Sequence, residues 1–151
     1  MRRNITQIQD LAHRLFAVEA RKHGQPRDAA ETMEEVCQRL QQRLKLLIGT
    51  AGLYALFARG LYLAKAEHPW LDLVEIEQNS DCALKGLREA AEQQNSDDAI
   101  KGFAAITANI IWLLVTFIGE DIILGLMYET WPELRNDGSR LTVLNTETSD
   151  E

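Results

Sequence analysis

Paired carboxylates are the first residues of this chain whose type and spacing could carry chemistry. Glu31 and Glu34, and again Glu89 and Glu92, stand three residues apart in segments with helical periodicity. This spacing puts both carboxylates of a pair on one helix face, as helical-bundle enzymes require to hold magnesium or iron. A di-iron site would also need an E-x-x-H motif, which the sequence does not contain. Because charged residues normally line the solvent face of a helix, we expect these four glutamates to be solvated.

The Glu31/Glu34 pair distantly resembles a motif of the all-helical nucleotide pyrophosphatases. In that family the pair holds magnesium together with an E-x-x-D motif on the next helix. The helix predicted to follow in this chain, residues 50–67, has no E-x-x-D motif. The resemblance therefore covers one helix and implies only part of a magnesium site.

Histidine and cysteine are the other residue types that bind metals. His13, His23 and His68 fall on separate predicted elements, with no cysteine or carboxylate at ligand spacing, so we expect no metal site. Cys37 and Cys82 lie far apart in predicted helices, which fits neither a disulfide framework nor a zinc knuckle. We expect them to be buried free thiols in a protein of the reducing cytoplasm.

The glycine-containing segment Gly49–Gly52 (GTAG) could be mistaken for a nucleotide-binding loop. It lacks the third glycine of a dinucleotide fingerprint and the GK[ST] of a phosphate-binding loop, and it stands between two helical patterns. The segment therefore predicts a bend between helices, and we expect no cofactor.

Polar residues on the most apolar helix suggest a buried site. Asn109, Thr116 and Glu120 form a polar stripe, and Arg59 is the only charge in the apolar stretch 46–64. Because a buried carboxylate needs a cation, we predict that Glu120 pairs with Arg59, and these four residues are our candidate lining of a small-ligand or enzyme pocket. The alternative is that Gly119 ends the helix and Glu120 lies in an exposed first turn.

The elements that must position these residues are helical. Apolar spacings of three and four, together with capping residues, predict helices over about 5–23, 28–48, 50–67, 81–94 and 97–131, the last broken near Gly119 or Gly125. Residues 70–77 fit a short helix or an irregular connection. The sequence thus predicts an all-α bundle of about five helices with segment 97–131 at its centre.

The clearest periodicity is a heptad repeat in the second predicted helix. Its apolar positions are Ala30, Met33, Cys37, Leu40, Leu44, Leu47 and Ala51. Three heptads can pack within one chain or form a dimer interface, and both alternatives stay open. Met33, Cys37, Leu40, Leu44 and Leu47 are the candidate interface.

The uncharged stretch 103–119 raises the question of a membrane span. Its seventeen residues are at the lower limit for crossing a bilayer, and a central core helix has the same all-round apolar sequence. We favour the core helix and keep membrane association as a further alternative.

Length and charge limit the function. The 151 residues suit one domain, predicted over 1–134, followed by a polar tail over 135–151. The net charge of −7 disfavours nucleic acid as a partner. We therefore expect a non-catalytic cytoplasmic protein that forms a homodimer or binds a helical protein partner.

Overall fold

The computed structural model describes residues 5–22 and 28–136, and over these ranges the fold is all-α, as predicted. Five helices pack together: α1 (Ile5–Arg21), α2 (Ala29–Glu67), α3 (Leu87–Glu92), α4 (Ser96–Phe117) and α5 (Glu120–Thr130). Two 3₁₀ turns, Pro69–Leu73 and Pro132–Asn136, and two short strands, β1 (Glu75–Ile76) and β2 (Leu84–Lys85), connect or follow them. His23 and nearly all of the predicted tail lie outside the described residues.

Helix α2 begins at a capping box that the sequence predicts. The side chain of Asp28 accepts a hydrogen bond from the backbone N–H of Glu31 at 2.8 Å, and the Glu31 side chain accepts one from the N–H of Asp28 at 3.4 Å. Two donors that the first helical turn leaves without a helical partner are satisfied in this way.

Helix α2 is a hairpin of two arms, residues 29–48 and 50–67, joined at Gly49. Gly49 has φ 80° and ψ 170°, a backbone conformation that is essentially restricted to glycine. Met33 of the first arm accepts a hydrogen bond from Thr107, and Gly60 of the second arm accepts one from Asn109. A straight helix would separate Met33 and Gly60 by about 40 Å, so both can reach the same part of α4 only because the chain reverses at Gly49.

Helix α4 is the central helix, and it packs against α1 and both arms of α2. Its buried side chains surround most of its circumference, which confirms the core-helix interpretation of the apolar stretch. The second arm approaches α4 closely at Gly60, where a β-carbon would stand only 2.7 Å from Ile110 Cγ1. Glycine at this position therefore sets the distance between the two helices.

Helix α5 begins after a break at Gly119 and reaches the first arm of α2 near its other end. Gly119 has a φ of 125°, and of the two predicted break points it is the one used. Near the other end of α5, Glu129 Oε1 lies 3.4 Å from Arg43 of the first arm. From Gly60, which bonds to Asn109, the chain continues to Trp70, whose ring contacts Phe103, so the second arm is antiparallel to α4. The Gly49 turn therefore lies at the same end of the bundle as the end of α4 and the start of α5.

The predicted helix over 81–94 is correct only for its last part. Asp81 does not begin a helix: Leu84 and Lys85 pair instead with Ile76 and Glu75 as an antiparallel ribbon, and α3 starts after Gly86. The ambiguous segment 70–77 divides into a 3₁₀ turn and strand β1. Tertiary hydrogen bonds to α2 fix this region, and they outweigh its weak helical pattern.

Candidate functional site

The four residues predicted to line a polar pocket do not form one. Arg59 is exposed and lies over the ring of Tyr62, with 5.5 Å from its guanidinium carbon to the ring centroid. Thr116 is also exposed, and its hydroxyl donates to a carbonyl of its own helix. Asn109 is half-buried and donates to the Gly60 carbonyl at 3.2 Å, so it links two helices.

The prediction of a buried Glu120–Arg59 pair is wrong. Arg59 faces solvent at the level of Asn109, whereas Glu120 is half-buried in the first turn of α5, beyond the end of α4. The break at Gly119 removes Glu120 from the stripe that we extrapolated along one continuous helix. The alternative is correct in that Gly119 ends the helix before Glu120, but Glu120 is half-buried in the first turn of α5 instead of exposed.

The heptad repeat packs inside the chain over most of its length. Met33, Cys37, Leu40 and Leu44 are buried against the rest of the bundle, so these four side chains are not available as an interface. Leu47, the fifth candidate, is 44% exposed because it lies next to the Gly49 turn. The repeat therefore builds the core, and only its last two members, Leu47 and Ala51, reach the surface.

A buried carboxylate does exist, at Glu19 of α1. Its side chain is fully buried, and Oε1 accepts a hydrogen bond from the indole Nε1–H of Trp131 at 2.9 Å. Arg39 of α2 places its Nε 3.3 Å from the same oxygen and 3.2 Å from Glu35 Oε2. The cluster links α1, the first arm of α2 and Trp131, which follows α5, around the buried Glu19 carboxylate.

Sequence reasoning missed Glu19, although a signal was present. Ile8, Ala12 and Leu15 precede Glu19 at helical spacing, and all three are buried. A carboxylate that continues an apolar stripe must be buried with it and then needs a cation. Arg39 could have been proposed as this cation, because the sequence places it four residues after Glu35, where it already pairs with a carboxylate.

A groove of about 420 Å³ collects titratable side chains from three helices. Asp10 and His13 of α1, Glu67 and His68 at the end of α2, and Lys101 of α4 line it. The fold thus brings together two histidines that the sequence placed on separate elements. Within residues 5–22 and 28–136, however, no group of three or more histidine, cysteine or acidic side chains is arranged to hold a metal ion.

The paired glutamates of the sequence lie mostly on the protein surface. Glu31 is exposed and caps α2, and Glu89 and Glu92 are exposed on α3. Glu34 is half-buried.

The two cysteines, far apart in sequence, meet where the segment 77–83 crosses α2. Cys37 is buried, and its thiol donates to Gln41 Oε1 at 3.1 Å. The same oxygen accepts the backbone N–H of Ala83, while Gln41 Nε2 donates to the Ser80 carbonyl at 3.3 Å. Gln41 thereby holds the segment that carries the half-buried Cys82 beside Cys37.

The thiols of Cys37 and Cys82 interact, with opposite effects on their acidity. Burial raises the pKa of the Cys37 thiol well above its usual range, and the Cys82 side chain adds to the rise. The neighbouring Cys37 side chain lowers the pKa of Cys82, although burial and the charges of Glu34 and Glu77 oppose this. Cys82 is thus the more acidic and the more accessible thiol of the pair.

Large apolar side chains are exposed at the end of the bundle that contains the Gly49 turn. Leu46 is 90% exposed, Phe117 72%, Ile122 56% and Leu47 44%. We call these four residues the apolar end. Single exposed apolar residues are common on soluble proteins, but four large ones at one end of a small bundle are typical of an interaction surface.

Among the described residues, α2 and α4 are long and apolar enough to cross a membrane by length and composition. The most apolar window of α4 is 56% buried in the bundle, and that of α2 only 22%. Core helices of soluble proteins pass the same test, so these helices are weak evidence for a membrane.

Comparison with protein-family models, curated proteins and solved structures finds no match to this chain.

Proposed function

We propose that the chain is a cytoplasmic, non-catalytic helical protein that acts by self-association through its apolar end. The observation that carries this proposal is the exposure of Leu46, Leu47, Phe117 and Ile122 at one end of the bundle. Burying these side chains against a second copy would contribute about 25 cal/mol for each Å² of apolar surface removed from water.

The charges around the apolar end favour a second copy over a lipid surface. Arg43 and Lys45 precede the Gly49 turn, and Glu120 and Asp121 begin α5 at the same end. A two-fold interface brings a surface against its own copy, so a surface with both signs can complement itself. Binding to anionic lipid instead requires an excess of lysine and arginine, and the whole chain carries a net charge of −7.

The cytoplasmic location is supported by the cysteine pair. Gln41 holds the segment of Cys82 beside Cys37, and two neighbouring free thiols suit a reducing compartment, because an oxidising one converts such neighbours into a disulfide.

Size-exclusion chromatography with light scattering tests self-association directly. At micromolar concentration we expect the wild-type chain to have twice the monomer mass of 17.1 kDa. Leu46→Glu and Phe117→Glu should each yield the monomer, because a charge in the interface would be buried without a partner. Leu73→Glu is the matched control: Leu73 is 51% exposed but lies toward the opposite end of the bundle, so this variant should remain dimeric.

Two results would contradict the proposal. One is a wild-type monomer at micromolar concentration, and the other is a dimer that persists in both apolar-end variants while circular dichroism shows an unchanged fold.

Flotation with vesicles of phosphatidylcholine and phosphatidylglycerol tests the membrane alternative. Wild-type binding that Leu46→Glu abolishes and Leu73→Glu preserves would assign the apolar end to lipid instead.

A further inference from the structure

The fold brings together two nucleophilic side chains that the proposed function does not use. Cys37 lies on the first arm of α2, and Cys82 lies in the segment between β1 and β2. Gln41 bonds to the Cys37 thiol, to the Ala83 amide and to the Ser80 carbonyl, while the Tyr54 hydroxyl accepts the Asn79 amide at 2.8 Å. Segment 77–83 is therefore fixed to both arms of the hairpin, and its position beside Cys37 does not depend on the thiols themselves.

We propose that Cys37 and Cys82 form a redox-active dithiol, in which a peroxide oxidises Cys82 and Cys37 then closes an intramolecular disulfide. The two cysteines differ in accessibility, as expected if Cys82 meets the oxidant and Cys37 reacts only with Cys82. Cys82 is half-buried, with its thiol donating to the Leu84 carbonyl at 3.4 Å, so it is the more accessible of the two residues to a small oxidant. Cys37 is fully buried in the core and can be reached only by its neighbour.

The acidities of the two thiols support the same order. The thiolate is the reactive form of cysteine, and the neighbouring Cys37 side chain lowers the pKa of Cys82. Burial keeps Cys37 protonated by raising its pKa, which protects it from direct attack by the oxidant. The amides of Ala83 and Leu84 partly offset this effect at the Cys37 sulfur, and they would stabilise negative charge that develops there.

The reaction balances with hydrogen peroxide as the only oxidant. The Cys82 thiolate attacks one peroxide oxygen, the O–O bond breaks, and the departing hydroxide takes a proton to give water and a sulfenic acid. The Cys37 sulfur then attacks the Cys82 sulfur, the S–O bond breaks, and the hydroxide released takes the Cys37 proton as a second water. Each sulfur loses one electron and the peroxide gains two. Exchange with a small thiol reverses the reaction, as is usual for the transient disulfides of reducing compartments.

The experiment treats the reduced full-length chain with hydrogen peroxide and then counts free thiols with a maleimide under denaturing conditions. We expect loss of both free thiols and recovery of both with dithiothreitol. A non-reducing digest should contain the peptides of Cys37 and Cys82 joined by a disulfide bond. The disulfide should form faster in the folded chain than in the chain unfolded by urea, because the fold holds the two sulfurs together. Cys37→Ser should stop at a Cys82 sulfenic acid that dimedone labels, and Cys82→Ser should leave Cys37 unreacted.

The wild-type digest decides the question even where a serine variant fails to fold. Two free thiols after treatment, a linkage between separate chains only, or dimedone labelling at Cys37 instead of Cys82 in the wild-type chain would each overturn the proposal.

Discussion

The indole of Trp131 donates a hydrogen bond of 2.9 Å to the carboxylate of Glu19, and both side chains are fully buried. Trp131 follows directly after α5 and Glu19 belongs to α1, so this hydrogen bond joins the end of α5 to the first described helix. Arg39 approaches the same carboxylate oxygen from α2. The Glu19 carboxylate therefore depends on one hydrogen-bond donor, Trp131, and one neighbouring cation, Arg39, from different parts of the chain.

Trp131→Phe tests the indole donor while keeping an aromatic ring in the core. We expect a loss of about 1.5–3 kcal/mol in the free energy of unfolding, the usual value of a hydrogen bond to a charged group, plus a contribution from the smaller ring. Urea unfolding measures the loss. In a Glu19→Gln background the same substitution should cost less, because the donor then faces a neutral acceptor. Equal losses in both backgrounds would show that the hydrogen bond contributes nothing beyond packing.

Arg39→Met tests the cation of the same cluster. The substitution keeps most of the aliphatic volume but leaves the fully buried Glu19 carboxylate without its cation, so we expect a loss of about 3–5 kcal/mol. Arg43→Met is the matched control, since Arg43 pairs with Glu129 where both side chains are largely exposed, at 45% and 70%. Removing that surface pair should cost about 0–1 kcal/mol. Urea unfolding measures both losses. Similar losses in the two variants would show that burial of the Glu19 carboxylate does not increase the contribution of its ion pair to stability.

The sequence predicted well those features whose causes are local. The Asp28 cap, the bend at Gly49 and the break at Gly119 each follow from a residue type and its neighbours. The apolar stripe of α1 follows in the same way from spacing alone. Such signals remain correct because nothing distant needs to be known.

Features that depend on distant residues were not predictable in this way. Residues 81–86 are not helical because Gln41, some forty residues earlier, binds the adjoining backbone and because Leu84 pairs with Ile76. The Arg59 error has a similar origin: spacing shows that a charge interrupts an apolar stretch, but not which face of the helix meets solvent. The contact between Cys37 and Cys82 likewise required the path of segment 77–83.

Gly49→Ala tests the hairpin turn. Gly49 is exposed and a β-carbon there would meet no atom within 4 Å, so the cost of the substitution comes from its backbone conformation. We expect a loss of about 1–3 kcal/mol in the free energy of unfolding. Gly125→Ala is the control, because Gly125 is helical in α5 and also has space for a β-carbon. That variant should be up to about 1 kcal/mol more stable, and a destabilisation equal to that of Gly49→Ala would exclude the backbone explanation.

Asp28 makes the stability of α2 depend on pH. The Glu31 amide is the main cause that lowers the pKa of Asp28 below its ordinary value of 3.8, and Arg88, 3.2 Å away, adds to the effect. Because the folded-state pKa is the lower one, the contribution of Asp28 is present above about pH 4 and is lost as the pH falls through the lowered value. At neutral pH, Asp28→Ala should cost about 0.5–2 kcal/mol, the usual value of an N-cap. The difference in unfolding free energy between wild type and Asp28→Ala should therefore shrink on acidification from about pH 5 to pH 2.

Asp28→Asn separates the cap from the charge, since asparagine caps helices about as well as aspartate but does not titrate. The difference between Asp28→Asn and Asp28→Ala should stay constant over the same pH range, because neither side chain gains a proton. At neutral pH, Asp28→Asn should lose only the exposed ion pair with Arg88, which contributes little because solvent screens it. Urea unfolding of the three chains at each pH gives both differences, and a wild-type advantage over Asp28→Ala that does not change with pH would show that the charge of Asp28 contributes nothing to the cap.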